Sequence, residues 1–168
     1  MNLRQLLVDA ALSPVAGYLA TKAMEPVSMK LYELESEIDR AREDVVRPGP
    51  PYRIAAEKTA RLVGVNLTDS QLDTVALGFH HGLAVSWAPV YALLRRTASL
   101  NPLAAGLTTG AAMSLIVDVG LTPALGFSAP NREYPLATHL RGVVAHLVFG
   151  VAVAGVFEVG WGLLRQRP

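Results

Sequence analysis

Three ionisable residues stand inside long apolar stretches of this chain. His81 lies in VALGFHHGLAVSWAPVYALLRR (Val75 to Arg96), Asp118 in MSLIVDVGL and His146 in RGVVAHLVFG. Glu158 follows further along the last stretch, and Lys22 and Glu25 close the first. If these stretches cross a bilayer, each such group is costly to insert, by about 2.5–3.5 kcal/mol, and calls for a reason. Two chemistries suit the residue types. Imidazoles titrate near neutrality, so His81 and His146, with Asp118 and Glu158 as relays and Lys22 and Glu25 beside them, would make a proton or ion path. Two imidazoles and a carboxylate are also a transition-metal ligand set, which makes His81, His146 and Asp118 the candidate metal ligands. A haem between His81 and His146 is a variant that nothing else in the chain supports. A plainer account competes with all three. Asp118 pairs with Lys22 or caps a backbone, and the histidines hydrogen-bond between helices, contacts worth only about 0.6 kcal/mol each.

Other chemistries are excluded or lack residues. There is no cysteine, hence no disulfide, thiolate metal site or thiol nucleophile. Gly-rich phosphate loops, His-Glu-x-x-His and Gly-x-Ser-x-Gly are absent. No catalytic residue is therefore nominated, no cofactor is predicted, and the expectation leans away from an enzyme. Net charge is +1 with both signs interspersed, so the basic stripe of a nucleic-acid binder is missing. The chain has 168 residues, 51% of them hydrophobic and only 17% charged, against about 25% charged in soluble domains. That balance points to lipid as the partner.

Spans of about 20 apolar residues are needed to cross roughly 30 Å of hydrocarbon. Thr74 to Leu94, Leu103 to Phe127 and Gly142 to Leu164 meet this well; Leu6 to Met24 meets it less well, with Asp9 and Lys22 near its ends. The expected architecture is all-α: a single membrane domain of four transmembrane helices in a compact bundle. Residues 27–73 form an extramembrane helical segment over one end. In that segment Leu31, Leu34, Ile38, Ala41 and Val45 recur at helical spacing, which describes an amphipathic helix prolonging the first span, with a kink expected at Pro26. RPGPP (Arg47 to Pro51) stops it, a short helix over Ile54 to Val63 follows, and Thr68 with Gln71 reads as a capping box opening the second span.

Helices in lipid associate through small residues at four-residue spacing. The second span has Gly78, Gly82 and Ser86, the third Gly106, Gly110 and Ser114, and the fourth Gly142, Gly150 and Ala154. Asp118 continues the third row and His146 lies within the fourth. In the second span His81 falls about 60° from Gly78, beside the packing face. His80 points almost the other way, with Trp87 and Tyr91, toward lipid or a partner subunit. Counted by depth, His81, Asp118, His146, Lys22 and Glu25 share one half of the bundle and Glu158 stands alone in the other. Trp161 and Tyr134 read as interfacial anchors. Arg95, Arg96 and the tail RQRP mark the cytoplasmic side in short loops, which puts both termini inside.

The segments GFHHGLAVSWAPVY and YPLATHLRGVVAHLVFGVAVAGVFE resemble bacterial inner-membrane proteins of the YagU-like group. The likeness covers about the last hundred residues and implies a small multi-pass inner-membrane protein, without transferring any catalytic residue. The functional expectation is a protein handling protons or small ions through a polar cavity. The alternative is a structural or accessory subunit, or a homo-oligomer, docking through its glycine rows and amphipathic helix. A metal-binding membrane protein is third.

Overall fold

Three of the long helices begin where a side chain takes over orphan amides of the first turn. In a computed structural model describing residues 2–165, Asn2 and Gln5 form a capping box for α1 (Leu3–Leu34). Thr68 and Gln71 do the same for α4 (Asp69–Thr97). Asn101 caps α5 (Pro102–Met113), whose Pro102 occupies a first-turn position that lacks nothing without its N–H. Helix α5 runs on without a break through a π-helical stretch, Ser114–Leu121, and a short α6, Thr122–Ala124. The last long helix is α7 (Leu136–Leu163). Between α1 and α4 lie two short helices, α2 (Glu37–Val46) and α3 (Pro51–Leu62). There is no strand among the described residues.

Helix α7 packs against both α1 and α5, α4 packs on α1 and α5, and α3 lies on the start of α4. The centre is built from small residues, Ala16, Ala20, Ala84, Ala88, Ala105 and Ala154, filled out by Tyr91, Phe149, Phe157 and Trp161. Backbones touch where glycine permits. A methyl group on Gly150 would overlap the Gly106 carbonyl oxygen, and one on Gly110 would overlap the His146 carbonyl oxygen. Gly17 lies close to the α4 backbone, where an added methyl group would come within 2.7–2.8 Å of Ala84 and Val85.

The row in the second span is a correction. Gly78 and Gly82 face open space, and a methyl group there would meet nothing within 4 Å. Helix α4 turns its alanines, not its glycines, to the bundle. Gly142 is also outside the tight seam; an added methyl group would meet only the Asp118 carboxylate, at 3.7 Å.

The amphipathic segment is a second correction. Helix α1 stays helical through Pro14 and Pro26, and the chain breaks at Glu35–Ser36, where Ser36 caps a separate α2 by accepting from the Asp39 amide. The apolar face of α2 points outward: Ile38 and Val45 are 82% and 86% exposed, as is Leu34 at the end of α1 at 72%, while Glu43 is buried. The charged side wins the inner position because Arg141 and Thr138 of α7 reach Glu43 there. Trp161, expected at an interface, is also buried.

Two helices, Pro102–Ala124 and Leu136–Leu163, are long and apolar enough to cross a membrane. Helices α1 and α4 have the length but are diluted by charge, with Asp9, Lys22 and Glu25 in one and Asp69, Asp73, Arg95 and Arg96 in the other.

Candidate functional site

The π-helical stretch sets the site. Its wider turn, a form that recurs at functional sites, carries Asp118 at the seam with α7. The backbone is held there from outside, since the Asn131 side-chain amide donates to the Val119 carbonyl (2.8 Å) and His139 contacts the Asn131 carbonyl (3.0 Å). From α7, His146 Nδ1 lies 3.1 Å from Asp118 Oδ2 and 2.8 Å from the Gly142 carbonyl oxygen. Carboxylate and carbonyl only accept, so Nδ1 carries the hydrogen and Nε2 is left as an acceptor. The imidazole is buried, whereas the Asp118 side chain keeps 42% of its surface open.

What Asp118 faces is a pair of cavities. One, of about 220 Å³, is polar, lined among others by Glu43, Asn131, Thr138, His139 and Arg141. The other, of about 430 Å³, is mostly apolar and includes His80 and His146 in its wall. Asp118 belongs to both, as do Arg47, Pro51 and Thr122, so its carboxylate stands in the wall between a polar vestibule and an apolar chamber.

Behind the vestibule stands a buried ionic cluster. Arg141 donates to Glu35 (2.5 Å) and to both oxygens of Glu43 (2.5 and 2.7 Å), with its guanidinium 5.0 Å from the Tyr32 ring centre. Thr138 donates to Glu43 at 2.6 Å. Burial pushes the Glu43 carboxyl up, but the hydrogen bonds from Arg141 and Thr138 and the attraction of Arg141 and Arg47 outweigh it, holding the group below the usual carboxylate range. This cluster ties the ends of α1, α2 and α7 together. Neither Glu35, Glu43 nor Arg141 stood out in the sequence, where Glu35 and Glu43 are two charges among many in a polar block and Arg141 borders the last apolar stretch.

The remaining nominated residues are dispersed. Lys22 pairs with Glu25 at 2.8 Å on the outside of α1. Glu25 in turn lies 3.5 Å from His80. His80 does not face lipid with Tyr91: it stacks on Tyr52 of α3 at 4.9 Å and borders the chamber, while Tyr91 is fully buried. His81 turns to α1, 5.3 Å from the Tyr18 ring, with Nδ1 buried and unpartnered. It therefore does not join Asp118 and His146, and among the described residues no three His, Asp or Glu side chains group as a metal site. The metal trio is corrected on that ground. Glu158 is not alone: Tyr91 and Arg95 both donate to it at 2.7 Å.

No family model, no curated protein and no solved structure matches the chain.

The opposite end of the bundle carries a second closed cluster that the sequence did not signal. Asp9 accepts from Arg96 at 2.7 and 2.9 Å and from the Trp161 indole at 2.8 Å, and the guanidinium sits 4.5 Å from the Trp161 ring centre. Three donors hold the Asp9 carboxylate while Arg96 Nη1 is buried without a partner, so this is a structural clamp. Chemistry concentrates instead at Asp118 and His146, a carboxylate and an imidazole in contact, with open space on two sides.

Proposed function

We propose that this is a multi-pass inner-membrane protein that moves protons through the Asp118–His146 pair, exchanging them with the polar vestibule. The carrying observation is the 3.1 Å contact at a wall shared by polar and apolar cavities. A proton added at the free Nε2 of His146 makes an imidazolium, whose Nδ1 hydrogen can pass to the Asp118 carboxylate, leaving a neutral imidazole and a carboxylic acid that gives its proton to the vestibule. The vestibule supplies hydroxyl, amide and imidazole groups leading to it. The YagU-like resemblance agrees with the class and adds nothing to the mechanism.

Four spans are part of this reading. All four long helices carry large exposed apolar side chains along their length, among them Leu7, Val15 and Leu19 of α1 and Leu77, Leu83 and Leu93 of α4, around an alanine-rich interior. In water such a belt would far exceed the patches that monomers tolerate; in hydrocarbon it is unremarkable. At about 1.5 Å per residue, each of the four is long enough to span.

Sidedness is read against the short loops. Arg40, Arg42, Arg47, Arg53, Lys58 and Arg61 belong to α2, α3 and the connection between them, and Arg132 lies in the loop beside that end. Arg4, Arg95, Arg96 and Arg165 lie at the other. Basic residues within a segment this short count toward the cytoplasmic side, so counting both ends assigns the α2–α3 end inside and both termini outside, the reverse of the sidedness that Arg95, Arg96 and the tail suggest when taken alone.

The test is proton flux. Protein in liposomes loaded with a pH-sensitive dye should dissipate an imposed pH gradient, and Asp118→Asn or His146→Gln should return it to the empty-liposome rate while the purified variants stay folded and monodisperse. His81→Phe should leave flux unchanged. Wild-type rates equal to empty liposomes, or undiminished flux in Asp118→Asn, would end this reading.

An accessory role is the second reading, favoured by the outward apolar face of α2, where Ile38 is 82% and Val45 86% exposed. Ile38→Glu with Val45→Glu should then shift a complex of defined mass in mild detergent to the monomer. An unshifted monomer in both proteins counts against it.

A further inference from the structure

The apolar chamber has the size and lining of a ligand site, which the proton path does not require. Its volume of about 430 Å³ lies within the usual range of small-molecule pockets, about 300–1,000 Å³. Phe79, Met113, Val117, Phe127 and Phe149 supply apolar wall from four parts of the fold. The polar lining residues, His80, Asp118 and His146 among them, stand amid mostly apolar wall, the balance by which such pockets orient a head group. Helix α3 is tied to the rim of the chamber: Lys58 donates to the Leu125 and Gly126 carbonyls, 2.9 Å each, and rests 5.6 Å from the Phe127 ring centre. The chamber also reaches the outer surface. Phe79, Leu83, Leu121 and Leu125 border the chamber and are 37–53% exposed on the outer surface, within the apolar belt. An occupant would enter sideways from hydrocarbon.

The hydrogen-bond inventory narrows its chemistry. Asp118 presents a carboxylate, an acceptor only, and His146, with its Nδ1 hydrogen committed to Gly142 and Asp118, leaves Nε2 as another acceptor. The Thr21 hydroxyl spends its proton on the Gly17 carbonyl. The one cation in the lining, Arg47, is engaged by Glu43 at 3.3 Å. A head group that brings hydrogen-bond donors is matched; a carboxylate or phosphate head would meet Asp118 with no free cation to offset it.

We propose that this chamber binds a neutral lipid-phase molecule bearing a hydroxyl head, its apolar body against Phe79 and Phe149 and its hydroxyl donating to Asp118 or His146. The site shares the Asp118–His146 pair with the proton-handling reading, but occupancy does not depend on proton transfer.

The experiment is photolabelling of the full chain in phosphatidylcholine vesicles with 3-azi-1-octanol, followed by mass-spectrometric mapping. Label should concentrate on Phe79, Met113 and Phe149 and fall about tenfold, the change given by about 1.4 kcal/mol of lost affinity, when either Leu83→Trp or Leu121→Trp fills the chamber. The two fillers lie on different helices, and each is accepted only if it stays monodisperse with an unchanged melting profile. Excess decanol should compete and decanoate at pH 8 should not. Label spread evenly over Leu107, Leu140 and Val151, or undiminished by folded fillers, overturns the site. Competition by decanoate or decylammonium equal to that by decanol overturns the hydroxyl assignment. Labelling that behaves as expected beside a wild-type chain without flux rejects proton handling alone. Flux lost in Asp118→Asn beside labelling insensitive to the fillers rejects the chamber alone.

Discussion

Arg96 near the end of α4 and Asp9 near the start of α1 are joined by two hydrogen bonds, 2.7 and 2.9 Å, across 87 residues of chain, with side chains only 3% and 8% exposed. Such a pair adds little beyond its own desolvation, but breaking it strands a buried charge at about 3–5 kcal/mol. Arg96→Met should therefore lower the unfolding midpoint in a detergent titration by an amount of that order. The exposed Lys30–Glu33 pair is the control, and Lys30→Met should leave the midpoint where it was. Equal midpoints for Arg96→Met and wild type would remove the clamp from this account.

The α5–α7 seam gives a sharper test of packing. Gly150→Ala forces a methyl group into the Gly106 carbonyl, and overpacking of that kind destabilises by about 1–3 kcal/mol. Gly82→Ala meets nothing and should stabilise by about 0.5–1 kcal/mol through helix propensity. Thermal unfolding of the two variants against wild type reads both signs. A destabilised Gly82→Ala beside a neutral Gly150→Ala would mean the helices pack through other faces.

Acid should loosen the end of the bundle that carries Glu43. Its carboxyl is held below the ordinary range, chiefly by Arg141 and Thr138 acting against burial, so the folded state binds that proton less readily than the unfolded chain. The resulting stability is fully present above the unfolded carboxyl value, about 4.3, and is lost as pH falls through the lower folded value. Melting temperature measured from pH 7 down to 3 should drop in wild type and drop less in Glu43→Gln, which starts lower at pH 7. Parallel curves would show that Glu43 is not the group responsible.

Because the natural chain has no cysteine, sidedness can be read with single introduced ones. Arg61→Cys at the end of α3 and Asn2→Cys at the start of α1 should fall on opposite sides of the membrane, the former reached by a membrane-impermeant maleimide only after the cells are opened. The reverse pattern would restore the sidedness suggested by Arg95 and Arg96 alone, and labelling of both in intact cells would contradict a multi-pass arrangement.

Local chemistry made several elements legible in advance. Thr68 with Gln71 and Asn101 with Pro102 mark helix starts because capping depends on neighbours within four residues. Gly106, Gly110 and Gly150 pointed to a seam because close backbone approach needs that residue type. Asp118 and His146 were conspicuous because an ionisable group in an apolar run violates the composition around it.

What composition could not say is which way each helix turns and which distant charge it meets. Gly78 and Gly82 carry the same spacing as the seam glycines, yet α4 presents Ala84 and Ala88 inward, and only the packing of α1 against that face decided it. The apolar spacing of Leu34, Ile38 and Val45 predicted an inward face, while Arg141, about a hundred residues away, drew Glu43 in instead. Asp9, Arg96 and Trp161 likewise became a clamp only in three dimensions. The sequence alone thus determined the helices, their caps and the residues worth watching. The tertiary fold decided that His81 stands apart from Asp118 and His146, because partner choice for a charge depends on distances through space that no local spacing encodes.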